Sequence, residues 1–477
     1  MTSGSKTAVR LPPLPGTFGP VRPRPRWLEF RLLGLVGVAL VVGSISLGAT
    51  LDGRFNVYDA QGLAIYVVAL FVAHAAQVLA GRRTDQILLP TVAMLGGVSL
   101  LLMQRLPQDL VTQTFFGTEV GLAQVQLIWL LGALIVATTL GIVVRSDRWL
   151  RRYKYTWAAV GVGLLLLTFV FGTEINGQRL TLQLGPLSGQ PTELLKVILV
   201  VFLAGYLSEN RELLVEQDTR VGPLRLPPLP YLAPMVAMWA IALGIVVIQR
   251  DLGAALLFFG VFLAMLYVAT ARVGLVIIGL VLFLLGSALM AMLFDHIRTR
   301  VDIWLDPFAD PLGAGYQVVQ ALHAFARGGL VGVGLGAGLP EIAGRPPIPE
   351  VHTDFPLAAL GEELGVLGVV AILGLYLVVV ERGLRIGAAA ADDFRSLLAI
   401  GLALVIGVQA FIIAAGNLKV LPLTGVTLPF ISYGGSSLLA NALVVGLLLA
   451  LSDKGVEPPP VPRVGSRWRR IGRRNTV

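Results

Sequence analysis

The sequence predicts an all-α polytopic membrane protein, and three observations support this fold class. Hydrophobic residues make up 56% of the 477 residues and charged residues only 14%, with a mean hydropathy of +0.80, whereas soluble domains carry about 25% charged residues. About twelve apolar stretches can cross the hydrocarbon core of a bilayer as helices. The alternating pattern of membrane β-strands is absent from the sequence, which leaves a helical bundle as the architecture that satisfies the backbone polar groups in lipid.

The predicted spans alternate with loops whose charge predicts their side of the membrane. Basic residues concentrate in alternate loops, such as Arg82–Arg83 and Arg145–Lys154, and in both terminal segments. The positive-inside rule therefore predicts cytoplasmic N- and C-termini. The longest outer segment, residues 295–354, then precedes the third-last helix. The predicted spans are Leu32–Thr50, Leu63–Ala80, Ile87–Met103, Val125–Val144, Tyr155–Phe171, Thr192–Leu207, Tyr231–Ile248, Leu252–Thr270, Val273–Phe294, Phe355–Val380, Leu397–Ala415 and Leu438–Leu451.

Composition also narrows the partners and cofactors. Residues 1–31 form a basic, proline-rich tail and residues 453–477 form a second basic tail. Beside apolar spans, such tails mark the cytoplasmic face and contact anionic lipid, so membrane lipid is a predicted partner and nucleic acid is not. The absence of cysteine excludes disulfides, iron–sulfur clusters and thiol catalysis. The four scattered histidines predict no metal site and no cofactor, although a divalent cation held by carboxylates stays open.

Three charged residues at span boundaries have both a structural and a functional interpretation. Glu193 and Lys196 lie three residues apart and share one helical face. They form either an internal ion pair or the charged wall of a cavity. Asp251 either caps the helix that follows it or helps to bind an anion at that helix N-terminus.

The outer loop 295–354 is too long for a simple connection and concentrates charged residues. Its cations Arg298, Arg300 and Arg327 suit an anionic ligand, and Gly315–Ala326 predicts a short amphipathic helix. A carboxylate at this boundary can act as a base toward a substrate that is half lipid. The residues alone do not decide among four candidates, which are Asp302, Asp306, Asp310 and Asp354.

Three further polar features follow the loop. His352 is either structural or catalytic. Glu362 and Glu363 are adjacent in one span and point to different sides, so at least one requires an internal partner. The stretch Thr427–Ser437 is either a packing turn or a backbone-lined pocket for a phosphate or sugar.

In this order, the polar motifs resemble those of the FtsW/RodA/SpoVE family, also called the SEDS proteins. Each motif alone is weak, but the combination is specific. The resemblance implies a core of about ten helices preceded by about two, and we place N-terminal transmembrane helices over residues 32–171 and a SEDS-like core over residues 172–452. The motifs are Asn176-Gly177-x-Arg179, Gln190-Pro191-Thr192-Glu193-x-x-Lys196, Gln249-x-Asp251-Leu252-Gly253, Asp310-Pro311-x-Gly313-x-Gly315-Tyr316-Gln317, Gly334-Leu335-Gly336, His352-Thr353-Asp354-Phe355, Gly361-Glu362-Glu363-x-Gly365 and Pro429–Ser437.

The resemblance implies a peptidoglycan glycosyltransferase that polymerises lipid II at the outer face of the bacterial cytoplasmic membrane during elongation or division, with a class B penicillin-binding protein as its partner. Asp310 matches the family's essential aspartate, whose proposed role is general base or orientation of the acceptor hydroxyl. The alternatives are a lipid II flippase and a non-catalytic scaffold of the wall-synthesis complex. The residues predicted to contact substrate are Arg179, Glu193, Lys196, Asp251, Arg298, Arg300, Tyr316, Gln317, His352, Asp354, Glu362, Ser432 and Ser436.

Overall fold

Membrane-length helices dominate the computed structural model. It describes residues 23–115, 118–175, 178–184, 187–216, 219–221, 224–226, 251–339 and 346–453, with five single positions between 233 and 244. Ten of the described helices are long and apolar enough to cross a membrane. They are α1 (Trp27–Leu51), α2 (Ala60–Leu79), α3 (Leu88–Arg105), α4 (Leu122–Val143), α6 (Lys154–Phe171), α7 (Pro191–Glu216), α8 (Leu252–Thr270), α9 (Val273–Leu293), α12 (Pro356–Ala388) and α13 (Asp393–Asn417). The other described helices are α5 (Arg148–Arg152), α10 (Asp295–Leu305), α11 (Tyr316–Gly328) and the apolar α14 (Gly435–Leu451).

Eleven of the predicted spans therefore coincide with helices of this structure. The twelfth, Tyr231–Ile248, lies outside the described residues. The short amphipathic helix predicted in the outer loop is confirmed as α11, which buries Val318, Ala321 and Ala324. The all-α prediction holds for the membrane-spanning part.

Short antiparallel strands occur in the loops between helices. One hairpin pairs Gln113 with Val120, a second pairs Thr219 with Leu226, and the segment after α6 folds as three strands. Single turns of 3-10 helix lie at Gln108–Leu110 and Pro307–Ala309. The strands are β1 (Gln113–Phe115), β2 (Thr118–Val120), β3 (Thr173–Ile175), β4 (Gln178–Leu184), β5 (Leu187–Gly189), β6 (Thr219–Val221) and β7 (Leu224–Leu226).

The core of the bundle lies around α7 and α13. Helix α13 packs against α7, α8 and α12, and α14 packs along α4. Most side chains of these two central helices are apolar and buried, as Val200 of α7 and Val405 of α13 illustrate. Helix α9 lies at the periphery, and its exposed side chains, such as Ile277 and Leu284, are aliphatic. Such a surface suits contact with lipid.

Loops that the charge pattern assigns to one side of the membrane contact one another in the structure. The N–H of Asp85, between α2 and α3, donates to Oγ of Ser452 after α14, at 2.8 Å. At the opposite ends of the helices, Nδ2 of Asn417 donates to the carbonyl of Asp354, also at 2.8 Å. The predicted grouping of the loops into two faces is therefore observed. We assign the face of residue 85 to the cytoplasm from charge alone.

Helix α12 is not the continuous span that hydropathy predicts for Phe355–Val380. Gly365 interrupts it with φ +67° and ψ −171°. The peptide groups on both sides of this break bond to the preceding segment Gly329–Gly336, which we call the glycine loop. The N–H groups of Val333 and Gly334 donate to the carbonyls of Glu362 and Glu363 at 3.0 Å each, and those of Val366 and Leu367 donate to the carbonyls of Gly329 and Leu330 at 3.0 and 3.2 Å.

The glycine loop thus replaces the hydrogen bonds that the helix loses, which a broken helix at membrane depth requires. A Cβ on Gly365 would collide with the backbone of Leu330 and Gly332. Because Gly332 and Gly365 both have positive φ, glycine suits both sides of this contact. The motifs around Gly334 and Gly365 therefore form one structural unit.

Candidate active site

A cavity of about 570 Å³ opens between the helices on the face of the long outer loop. Its walls come from the first turns of α7 and α8, from α4, and from the loop segments before α12 and α14. Among the described residues, five charged side chains line it, although most of its surroundings are apolar helices. They are Glu193, Lys196, Asp251, Arg300 and Asp354.

Lys196 is buried among the helices, with only 2% of its surface exposed. Its ammonium donates to Glu193 Oε2 at 2.7 Å, to Gln409 Oε1 at 2.8 Å and to Asn441 Oδ1 at 3.0 Å. These three bonds use all three N–H groups of the side chain. Both interpretations of the pair hold, because Lys196 ties α7 to α13 and α14 and also forms part of the cavity wall.

Asp251 caps α8 as predicted, since its carboxylate accepts from the N–H of Ala254 at 3.0 Å. It also lines the cavity. Burial, and to a smaller extent the nearby Glu193, raise the pKa of Asp251 to about 6 against the lowering effects of the Ala254 N–H and Arg300. The cap therefore places a carboxyl group that titrates near neutral pH at the cavity wall.

A second cavity of about 210 Å³ adjoins the first and shares Arg300, Asp354 and Gly425 with it. Gln317 of α11 lies in its wall. Burial and Glu350 raise the pKa of Asp354 to about 6, while Arg300 acts in the opposite direction. Arg300 is held in place by donating to the carbonyl of Leu423 at 3.3 Å. A cation and a carboxyl group thus separate the two cavities.

Asp310 lies in a tight turn before α11, outside the walls of both cavities. Its Oδ1 accepts from the N–H of Gly313 at 3.0 Å, and its Oδ2 accepts from the N–H of Ala314 at 2.8 Å. A Cβ on Gly313 would collide with this carboxylate, and a Cβ on Gly315 would collide with the carbonyl of Pro307. The spacing of Gly313 and Gly315 after Asp310 is therefore explained by a tight turn whose N–H groups hold the exposed Asp310 carboxylate.

The stretch Thr427–Ser437 packs as a turn and lines the larger cavity, and its role as a pocket for a phosphate or sugar stays a prediction. Ser436 lines the larger cavity and its Oγ accepts from the N–H of Gln190 at 3.1 Å. The ring of Tyr433 and the backbone of Gly434 and Gly435 also form the wall. The segment is both a packing turn and a lining of the pocket.

Two residues predicted to contact substrate, Glu362 and Ser432, lie outside both cavity walls, and their side chains have structural partners. Glu362 is 2% exposed and pairs with Arg327, with Nε 3.2 Å from Oε1, at the break in α12. Its neighbour Glu363 pairs with Arg105, so both carboxylates have the internal partner that at least one required. The hydroxyl of Ser432 donates to the carbonyl of Thr353 at 2.6 Å and accepts from a backbone N–H.

Three others also lie outside both cavity walls. Arg298 is exposed on α10, and Tyr316 begins α11. His352 is buried and its ring lies 5.7 Å from that of Tyr433, so it supports the wall from behind. Spacing in sequence could not show which side of the loop these residues occupy. For Arg179, the structure describes the backbone, paired with Glu174 between β3 and β4, and not the side chain.

Sequence reasoning missed the two amides that hold Lys196. Gln409 and Asn441 are fully buried in apolar spans, and an amide within such a span was the available signal. Trp129 of α4 is a further wall residue without a sequence signal. Within the described ranges, no group of three or more His, Asp or Glu side chains is arranged to hold a metal ion.

The fold and the site together define a multi-pass membrane protein with a charged cavity at one membrane face. Residues 84–456 match the model of the FtsW/RodA/SpoVE family, described as a cell cycle protein, and the chain belongs to this family. Membership and the membrane-length helices indicate a multi-pass protein of the bacterial cytoplasmic membrane.

Named relatives and solved structures agree with this membership. The peptidoglycan glycosyltransferase RodA of Mycobacterium leprae is 38% identical over 446 residues, covering 93% of each chain. The probable peptidoglycan glycosyltransferase FtsW of Nitrosococcus halophilus is 40% identical over 312 residues, covering 64% of this chain and 76% of the relative. A chain from the structure titled "Structural coordination of polymerization and crosslinking by a peptidoglycan synthase complex" is 29% identical, with a TM-score of 0.62, over 78% of this chain and 98% of its own. RodA of Thermus thermophilus is 26% identical, with a TM-score of 0.53, over 78% and 97%.

Proposed function

We propose that this chain is a peptidoglycan glycosyltransferase that polymerises lipid II into glycan strands at the outer face of the cytoplasmic membrane. The observation that carries the proposal is the charged cavity between the helices on the face of the outer loop. A substrate made of a prenyl chain, a diphosphate and sugars can keep its chain in lipid while its head group enters such a cavity. Relatives named as peptidoglycan glycosyltransferases at 38–40% identity support the same activity.

The reaction needs a base near the acceptor hydroxyl and positive charge near the leaving diphosphate. Lys196 and Arg300 supply positive charge in the cavity wall. The carboxyl groups of Asp251 and Asp354 line the same cavity. The cavity therefore offers both kinds of group to one bound head group.

We assign the general base to Asp310, which matches the family's motif and presents its carboxylate on the surface of the loop. Its turn leads directly into α11, where Gln317 reaches the smaller cavity. Asp354 is the second candidate, because it lines both cavities and its pKa lies near neutral pH. The two assignments predict that a different carboxylate is essential for the reaction.

Polymerisation of lipid II by the full-length protein with its penicillin-binding protein partner tests the assignment. We expect Asp310→Asn to lose activity by about a hundredfold or more, the typical contribution of a general base. Asp306→Asn is the matched control, because Asp306 is exposed in the same loop and only caps the N–H of Phe308. Full activity of Asp310→Asn with loss in Asp354→Asn would transfer the role to Asp354, and full activity of both would refute both assignments.

A flippase that moves lipid II across the membrane is the main alternative, and the depth of the polar groups argues against it. Gln409 lies eight residues, or about 12 Å, before the end of α13 at Asn417. Over the next two turns toward the opposite face, the buried side chains of α7, α13 and α14 are apolar, including Val200, Val405 and Val445. A vesicle assay that follows lipid II movement in the absence of polymerisation separates the two functions.

We further propose a class B penicillin-binding protein as the partner. A synthase complex that coordinates polymerization and crosslinking is the solved structure with 29% identity to this chain. A non-catalytic scaffold would also bind such a partner, but it would tolerate Asp310→Asn. The polymerisation assay above therefore distinguishes the enzyme from the scaffold.

A further inference from the structure

A second large cavity, of about 500 Å³, opens at the face opposite the candidate active site. We call it the arginine cavity, because Arg83, Arg382, Arg385 and Arg395 line it. It lies between the loop after α2 and the adjoining ends of α12, α13 and α14. Basic residues are expected on this face from topology alone, so only the placement of these four arginines can indicate a ligand.

The loop that walls the arginine cavity is held firmly in position. The N–H of Arg83 donates to Asp453 Oδ1 at 3.1 Å. The guanidinium of Arg26 donates to the carbonyls of Thr84 and Asp85 at 3.3 and 3.1 Å, and to Thr84 Oγ1 at 2.6 Å. These bonds join the loop to α1 and to the end of α14. The cavity is therefore preformed, which reduces the entropy lost on binding.

The carboxylates that line the cavity already have cationic partners. Asp85 pairs with Arg382. Asp453 pairs with Arg82, whose Nη1 lies 2.7 Å from Oδ2. Arg385 pairs with Glu381 of its own helix. These pairs leave the side chains of Arg83 and Arg395 without an ion-pair partner among the described residues.

Arg395 is the one buried side chain of the four. Only 6% of its surface is exposed, and its Nε has no hydrogen-bond partner among the described residues. Its side chain makes one long bond, from Nη2 to the carbonyl of Leu451 at 3.4 Å. Burying a charged group is unfavourable unless a counter-charge meets it. A buried guanidinium at the wall of an open cavity therefore calls for an anion.

The chain's own terminal segments are poor sources of that anion. Residues 1–22 contain no Asp or Glu, and residues 454–477 contain seven cations and the single carboxylate Glu457. Apolar side chains complete the wall, including Ile87, Ile386 and Leu28, which is 50% exposed on α1. Arginines beside aliphatic residues fit an amphiphile whose phosphate enters the cavity while its chains stay in the bilayer.

We propose that the arginine cavity binds a phosphate group, and that this group belongs to the head group of an anionic phospholipid. Arginine suits phosphate because its planar fork can donate two parallel bonds to the oxygens. The bound lipid would join α12, α13 and the loop after α2. This site is separate from the cavity in which we propose that the reaction takes place.

The test uses the full-length protein in nanodiscs of phosphatidylcholine with or without phosphatidylglycerol. Native mass spectrometry measures the lipid that stays bound, and thermal unfolding measures the stabilisation that binding provides. We expect phosphatidylglycerol to be retained and Arg395→Gln to weaken its retention about tenfold, the loss of one good charged contact. Because Arg395 is buried, the exposed Arg83→Gln is a second variant with less effect on folding.

Arg151→Gln is the matched control, since Arg151 is exposed on α5 at the same face and lies outside the cavity wall. Equal retention by the wild type and both cavity variants, or equal loss in Arg151→Gln, would overturn the site. In a separate arm, inorganic phosphate is added to the neutral nanodiscs. If phosphate stabilises the protein through Arg395 and phosphatidylglycerol does not, the phosphate site stands and the lipid occupant is overturned. Neither readout involves polymerisation, so failure here leaves the proposed function untouched.

Discussion

Nζ of Lys196 lies 2.8 Å from Oε1 of Gln409, although 213 residues separate them in the chain. Nε2 of the same amide donates to the carbonyl of Thr427 at 2.8 Å. Gln409 therefore connects the cavity lysine on α7 to the stretch that lines the cavity before α14. The polar network beneath the candidate active site is built from three helices that hydropathy treats as unrelated spans.

Replacing Lys196 with methionine should destabilise the protein strongly. The change leaves Glu193 without its ion-pair partner and two buried amides without a donor, a loss of about 3 kcal/mol by comparison with other broken buried pairs. Thermal unfolding in detergent measures it. Lys154→Met is the matched control, because Glu209, the partner of Lys154, is 40% exposed and can be solvated. Equal losses in the two variants would contradict the role of Lys196 as a link between helices.

The break in α12 predicts a clear difference between two glycines of one helix. Gly365→Ala places a side chain at φ +67° and against the backbone of the glycine loop, so we expect a loss of about 3 kcal/mol or more. Gly374→Ala introduces a Cβ with nothing within 4 Å, so it should be neutral or stabilising by up to about 1 kcal/mol. Unfolding of the two variants side by side measures the difference. A tolerated Gly365→Ala would mean that the helix runs straight through this position.

The turn at Asp310 can be disturbed without removing its carboxylate. Gly313→Ala forces the Asp310 side chain from its position, because the new Cβ would occupy the same space. We expect lipid II polymerisation to fall about tenfold or more while unfolding changes little, since the turn is exposed. Leu312→Ala is the control, as Leu312 lies in the same turn and is 88% exposed. Unchanged polymerisation by Gly313→Ala would show that the position of this carboxylate is unimportant.

The pKa values at the cavity predict how stability depends on pH. The pKa of Asp354 is raised from 3.8 to about 6 by burial, so the folded protein holds a proton that the unfolded chain releases. Its stabilising contribution is complete below pH 3.8 and is lost as the pH rises through about 6. We expect stability to decrease over this interval by less in Asp354→Asn than in the wild type, as measured by thermal unfolding. Asp306→Asn, at an exposed site, should follow the wild type, and identical profiles in all three proteins would contradict the assignment.

Much of the fold follows from hydropathy, because lipid demands long apolar helices whatever their neighbours are. The spacing of Glu193 and Lys196 predicts their ion pair, and Asp251 before an apolar run predicts its cap. Local geometry settles such features. The glycine spacing after Asp310 marks a tight turn for the same reason.

Contacts between residues far apart in the chain could not be predicted from the sequence. Nothing local indicates that Gln409 meets Lys196, since that contact depends on how α7 and α13 pack. Glu362 is polar, so the sequence suggests a contact with substrate. In the structure it forms an ion pair with Arg327 of α11 instead, and this contact depends on how α11 and α12 pack. The break at Gly365 leaves hydropathy unchanged, so the span Phe355–Val380 reads as continuous.

The hydrogen bonds between the glycine loop and α12 have a consequence for biosynthesis. Residues 329–336 are synthesised before residues 356–388, and each supplies hydrogen-bond partners that the other lacks. The outer portion of α12 therefore cannot settle in the bilayer as an independent unit when it leaves the translocation machinery. It completes its structure only after the preceding segment has crossed the membrane and folded back, which makes the insertion of this helix a tertiary event.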